Sequence, residues 1–169
     1  MKFNTKTIHG GQQPEKLTGA VMPPVFMTST YAHSSPGEAQ EYEYSRGGNP
    51  TRTALENSFA AIENGTHGFA FSSGMAAIDC VLRTLNPGDE IIAGDDLYGG
   101  TYRMFTKLFQ KYGLEFIFVD INAVDNISKE ITEKTKLVWL ETPTNPLMKI
   151  ADIEAICTLV KDINSDILI

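Results

Sequence analysis

A chain of 169 residues, 42% hydrophobic and 21% charged, has the make-up of one ordinary globular domain, able to bury about 70% of its unfolded surface. Its formal net charge of −7, with no cluster of Lys and Arg, argues against a nucleic-acid partner. Cys80 and Cys157 stand far apart with no Cys-x-x-Cys, implying neither a disulfide framework nor a zinc site. Without a basic-then-apolar leader or an apolar run of about 18 residues, no membrane partner is expected, and the chain reads as cytoplasmic.

Residues 1–49 show little periodicity and many turn formers, including Gly10-Gly11, Pro23-Pro24, Pro36-Gly37 and Gly47-Gly48. An arm of that length with no core of its own is expected to be disordered or docked, often on another subunit. Pro50 opens an amphipathic helix with Leu55, Phe59 and Ile62 at helical spacing, and Asn64-Gly65 closes it. Phe69-Ala70-Phe71 reads as a short buried strand, and Ser73 to Leu85 as a helix stopped by Asn86-Pro87-Gly88. Strands are then expected at 90–93, 115–119 and 136–140, and helices at 101–111, 124–131 and 152–163. Such alternation predicts an α/β fold with a mainly parallel sheet and helices on both faces. Asp166-Ile167-Leu168-Ile169 begins one more strand with no turn or polar tail, so the domain is expected to be incomplete.

Ligands of open α/β sheets sit at the carboxyl ends of the strands, and three loops there carry unusual chemistry. In Phe71-Ser72-Ser73-Gly74-Met75-Ala76-Ala77, two hydroxyls and a glycine open a helix whose unpaired N–H groups suit an anion such as phosphate. Plain N-capping by serine is the competing reading. In Asp95-Asp96-Leu97-Tyr98-Gly99-Gly100-Thr101-Tyr102-Arg103, glycines let the backbone close on a ligand and present the Tyr98 ring to it. The paired aspartates read first as turn and cap formers, with metal or acid–base work as the alternative. Glu141-Thr142-Pro143-Thr144-Asn145-Pro146 is a polar loop in which Asn145 is a fixed donor or a simple turn residue. Upstream, Glu43-Tyr44-Ser45-Arg46-Gly47-Gly48-Asn49-Pro50 places an aromatic hydroxyl two residues from a guanidinium, a pair able to grip a phosphate. His9, His33 and His67 lack metal-ligand spacing, and Cys80 and Cys157 are expected in the core.

These four motifs, in this order, resemble the trans-sulfuration enzymes of cysteine and methionine metabolism, which depend on pyridoxal 5'-phosphate (PLP). Among them the sequence looks closest to cystathionine γ-lyase, then cystathionine γ-synthase, with methionine γ-lyase a further alternative. The resemblance implies PLP fold type I, aspartate-aminotransferase-like: an arm over 1–49 for subunit contacts and part of the PLP-binding large domain over 50–169. It implies that Gly74 and Met75 bind the cofactor phosphate and that Asn145 lies near its phenolic oxygen. Tyr98 would stack on its ring and move protons at the substrate amine, the one catalytic role among these residues. Tyr44 and Arg46 would reach the phosphate held by a neighbouring subunit, and Glu43 and Arg103 the far end of the substrate. A small sulfur amino acid as substrate and a homo-oligomer built as a dimer of dimers follow from the same likeness. The family's lysine, in a Ser-x-Thr-Lys context, has no match here; Lys136 reads as an edge charge, and Asp166 precedes its strand. The 169 residues alone are therefore expected to be inactive, with an assembly piece as the alternative reading.

Overall fold

Every residue of the first strand, β1 (Glu90–Gly94), is buried. Successive side chains of a strand point to opposite faces, so a strand buried throughout needs cover on both. The computed structural model, which describes residues 1–38 and 40–169, supplies that cover. β1 pairs in parallel with β2 (Glu115–Val119) on one side and β3 (Thr135–Trp139) on the other. Ile91 and Ala93 pack with Leu82, Phe105 and Leu137 on one face. Ile92 packs with Val138, Ile127 and Ile156 on the other. The first face is covered by α3 (Gly74–Leu82), α4 (Gly99–Arg103) and the irregular helical turns after it; the second by α5 (Val124–Glu130) and α6 (Ile153–Ile163). The expected α/β architecture with a parallel sheet is therefore present.

The strand order β2-β1-β3 creates the one topological feature on which the site depends. Chain leaving β1 goes into α4 on the first face, whereas chain leaving the adjacent β3 goes into α6 on the second. Neighbouring parallel strands whose loops part to opposite faces leave a crevice at their carboxyl ends. Beyond β3, Val138 N–H donates to Leu168 O at 2.8 Å and Leu168 N–H to Lys136 O at 2.9 Å. The expected strand at 166–169 thus begins as a single parallel bridge on the β3 edge.

Three local expectations are corrected. Phe69-Ala70-Phe71 forms no strand: no described residue pairs with it, and the Phe69 ring is 77% exposed. A strand exists only through a partner, which an apolar triplet cannot specify. The helix expected at 101–111 begins at Gly99 and loosens after Arg103 into a π-helical turn, Met104–Leu108, then a 3₁₀ turn, Phe109–Tyr112. Packing overrides propensity there, since Phe105 is wedged between Phe116, 4.5 Å away, and Trp139, 5.8 Å away, and Gly99-Gly100 favour helix weakly. α3 stops at Leu82, and the residues to Leu85 tighten into i→i+3 bonds.

Contacts divide the chain into two compact units, 1–72 and 73–169. In the first, α1 (Phe3–His9), which sequence periodicity does not announce because it buries no residue, packs on α2 (Pro50–Ile62). Asn49 caps α2 by accepting from Thr51 N–H at 2.9 Å, and Pro50 takes the first helical position, as expected. Glycine is needed where the chain touches α2: a Cβ on Gly11, whose φ is +70°, would fall 2.1 Å from Asn57 O. Part of the arm is therefore docked on its own chain, while Met22, Val25 and Met27 stay exposed.

In the second unit, the loops beyond the strand ends are tied by charge. Lys149 Nζ donates to both Asp95 oxygens at 2.8 and 2.9 Å and to Asp120 Oδ1 at 3.3 Å. The bond to Asp95, helped by Asp120, raises the lysine pKa above its ordinary value. The Asn122 N–H and then Lys149 hold the Asp120 carboxyl below its own. A raised lysine contributes stability below its unfolded pKa and loses it only as pH climbs through the folded value. A depressed aspartate contributes above its unfolded pKa and loses it as pH falls through the folded one. The tie therefore acts across neutral pH. Lys149→Met is expected to lower the Tm at pH 7, with the difference from the parent shrinking once pH falls below the aspartate range, as thermal scans across pH will show. Ile156→Ala, in the closed core, is expected to cost about 2–5 kcal/mol in urea unfolding. Ile163→Ala, on the exposed side of α6, is expected to cost about 0.5 kcal/mol or less.

Candidate active site

The crevice between the β1 and β3 ends is approached by three backbone segments of the second unit. The first is the start of α3. Ser73 is in the extended conformation, and its Oγ accepts from Ala76 N–H at 3.1 Å. Capping of that kind satisfies one of the four donors a helix start leaves over. Gly74 and Met75 N–H find no acceptor among the described residues, and a Cβ on Gly74 would meet no atom within 4 Å. Serine capping and an anion site are thus compatible: the cap takes one donor, and two remain at the positive helix end.

The second segment, after β1, carries Tyr98, whose ring is half exposed and whose hydroxyl makes no hydrogen bond among the described residues. A Cβ on Gly100 would lie 2.3 Å from the Tyr98 ring and 2.8 Å from Met75 Sδ. Glycine at 100 therefore makes room for the tyrosine ring itself, and it brings Tyr98 and Met75 together at one point. Arg103 is exposed, with a guanidinium nitrogen 3.3 Å from where a Cβ on Gly99 would be.

The third segment follows β3. Asn145 is exposed and its amide makes no hydrogen bond among the described residues, so its donors are available to a ligand. Thr144 beside it is buried and donates from Oγ1 to Asp96, whose carboxylate also accepts Leu147 N–H at 2.9 Å. Asp96, 7% exposed, is therefore the anchor of the Asn145 loop, a longer-range role than the turn or cap expected of it. Glu141 accepts Tyr98 N–H at 2.8 Å and Thr101 Oγ1–H at 2.8 Å. Sequence reasoning passed over Glu141 and Lys149 because the Tyr98 and Thr101 partners of the first lie 40 or more residues away, and the aspartate partners of the second 29 or more.

Tyr44 and Arg46 belong to the first unit. Tyr44 pairs antiparallel with Thr30, and the Arg46 guanidinium lies over its ring, 4.9 Å from the centroid. Arg52 donates to Gly47 O at 2.7 Å and holds the turn after Tyr44. Both side chains are exposed, as is Glu43, so the Tyr44–Arg46 pair is assembled and presented outward. Of the remaining candidates, His9, His33 and His67 are exposed. Cys80 is exposed too, a correction to its expected place in the core: it falls on the outer side of α3, away from buried Leu82. Cys157 is partly buried. Among the described residues no three His, Cys, Asp or Glu side chains gather to hold a metal, and no helix is long and apolar enough to cross a membrane.

The donor set fits PLP. Its phosphate needs N–H donors at a helix start, and two stand free before open space at Gly74. Its ring needs an aromatic face, and the exposed Tyr98 ring meets Met75 at Gly100. Its phenolic oxygen needs a donor, and Asn145 keeps one unused.

A family model described as Cys/Met metabolism PLP-dependent enzyme matches residues 4–169. A cystathionine beta-lyase from Coxiella burnetii is 49% identical over 163 residues, covering 96% of this chain and 42% of that protein. A cystathionine gamma-lyase from Dictyostelium discoideum is 47% identical over 160 residues, 94% of this chain and 41% of that protein. The solved structure of a cystathionine gamma-lyase from Lactobacillus plantarum, complexed with L-serine, matches with a TM-score of 0.89 at 46% identity, covering 96% of this chain and 42% of that one. The chain spans less than half the length of these relatives. With the family's pattern running along nearly all its residues, the chain belongs to the Cys/Met metabolism PLP-dependent enzymes.

Proposed function

We propose that these residues form the cofactor cradle of an enzyme that eliminates at the C–S bond of cystathionine-type amino acids, in the manner of a cystathionine γ-lyase. The observation that carries the reading is the pair of unpartnered N–H groups at Gly74 and Met75, opening toward the same crevice as Tyr98. PLP, when bound, would supply an electron sink that acidifies the C–H bonds of an amino-acid substrate. Gly74 and Met75 N–H hold the phosphate, and the helix end favours its charge. The Tyr98 ring covers one face of the pyridine, and its hydroxyl takes up or delivers a proton at the substrate nitrogen. Asn145 donates to the phenolic oxygen. Tyr44 and Arg46 grip the phosphate of a second subunit, which makes the arm over 1–49 an oligomer contact; Glu43 and Arg103 address the far end of the substrate. The lysine that holds the aldehyde lies outside these residues on this reading, since no Ser-x-Thr-Lys stretch occurs among them; Lys149 is engaged by two aspartates, and Lys136 is exposed beside Glu133. Residues 1–169 alone are then inactive, and the working form is a cytoplasmic homo-oligomer.

Identity to a beta-lyase and a gamma-lyase is nearly equal, so the ranking rests on the loop around Tyr98, on Ser35-Pro36-Gly37-Glu38 and on Lys136-Leu137-Val138-Trp139. Cystathionine γ-synthase and methionine γ-lyase chemistry are the nearest alternatives. The deciding experiment gives cystathionine to the full natural protein that carries these residues, loaded with PLP. Cysteine, 2-oxobutanoate and ammonia are expected; homocysteine and pyruvate would assign β-elimination instead, and no cleavage would overturn the reading.

A second test isolates the phosphate donors. Ser73 is extended, a conformation suited to the residue before proline, and the first helical position tolerates proline. Gly74→Pro should thus keep α3 while deleting one N–H, weakening PLP binding about 10-fold to 100-fold. Gly74→Ala keeps the N–H and is expected to stay within about 3-fold of the parent, a comparison that equilibrium PLP titration settles.

A further inference from the structure

We propose that Glu141 is the positioning residue for the Tyr98 ring, a role that rests on the reading of Tyr98 as the residue facing the cofactor. Tyr98 is the N-cap of α4, yet its own side chain caps nothing. The residues after it are Gly99 and Gly100, whose backbones have the most freedom of any. The ring is half exposed, and its hydroxyl has no partner among the described residues. Within its own segment the ring meets Gly100, but no described residue there accepts the Tyr98 N–H.

The constraint comes from across the crevice. Glu141 Oε2 accepts Tyr98 N–H at 2.8 Å, and Oε1 accepts the hydroxyl of Thr101, which is fully buried, also at 2.8 Å. Trp139 Nε1–H reaches the same Oε1 at 3.4 Å, so the carboxylate is itself steered by the strand that carries it. One side chain thus ties down both the N-cap residue and the third residue of a helix belonging to another loop. Accepting the N–H of the N-cap residue is what the N3 Glu or Gln of a capping box does from within a helix; here the carboxylate comes from another loop. Below the ring, Gly100 and Met75 set the floor. Glu141 sets the backbone from which the ring hangs.

The test uses the full natural protein with and without PLP, in the parent and in Glu141→Ala, Glu141→Gln and Tyr98→Ala. Without PLP, the Tyr98 amide is expected to exchange its proton faster in Glu141→Ala, and at a near-parental rate in Glu141→Gln. The amide oxygen of glutamine still accepts Tyr98 N–H, and its NH2 donates to a Thr101 hydroxyl turned to accept. With PLP, Glu141→Ala is expected to change the visible circular dichroism of the bound cofactor in the direction Tyr98→Ala changes it. Its kcat should fall about 10-fold to 100-fold with KM within about 3-fold, and Glu141→Gln should recover most of the loss. If Tyr98→Ala alters the dichroism and Glu141→Ala does not, Glu141 is a plain cross-tie and the proposal is overturned, while the reading of Tyr98 stands. If neither alters it, Tyr98 does not face the cofactor, and both readings fall. Should Glu141→Ala not fold, Glu141→Asp replaces it: a carboxylate withdrawn by one methylene must still alter the dichroism, and an unchanged spectrum overturns the proposal.

Discussion

Three carboxylates hold together a part of the molecule that the sheet itself cannot. β1 and β3 are joined by backbone hydrogen bonds along their length, but beyond their carboxyl ends the two chains part to opposite faces. No ladder bridges that gap. Asp95 crosses it to Lys149, Asp96 to Thr144 and Leu147, and Glu141 in the reverse direction to Tyr98 and Thr101. Hydrogen bonds to a carboxylate are stronger than neutral ones, and those at Asp96 and Thr101 are shielded from water. The crevice stays open because its walls are braced from the side.

Bracing the walls leaves the ligand-facing groups unspent. The carboxylates take the backbone donors at 98 and 147 and the hydroxyls of the buried Thr101 and Thr144. What remains without a partner among the described residues is the Tyr98 hydroxyl, the Asn145 amide and the first two N–H groups of α3. Unused polar groups on firmly held backbone are the condition for binding a polar ligand without reorganisation. The first unit repeats the pattern on a smaller scale: Arg52 spends its donors on the turn at 45–47, and Arg46 keeps its own, lying over Tyr44.

Legibility followed the range of the cause. The Ser73 cap and the Asn49-Pro50 helix start depend on neighbours within a few residues, and both were readable. So were the three paired strands, whose consecutive apolar residues demanded cover on both faces. Phe69–Phe71 misled because its apolarity says nothing about a pairing partner. Cys80 misled because cysteine is usually buried, while the register of α3 turned it outward. The winding after Arg103 was out of reach because Phe116 and Trp139, which seat Phe105, come from other strands.

By itself the sequence determined the α/β class, the helix starts at Asn49-Pro50 and Ser73-Gly74, and a hydroxyl- and glycine-bearing helix start of the kind that suits an anion. Those follow from spacing and side-chain chemistry, which are local. Tertiary structure alone decided that β3 lies beside β1, and hence that Tyr98 and Asn145 flank one crevice. It also decided that Gly100 is small because the Tyr98 ring and Met75 occupy its side-chain space, and that Glu141 answers for Tyr98 from 43 residues away. Strand order is set by which faces and edges find cover when the whole unit packs, and no short stretch of chain carries that information.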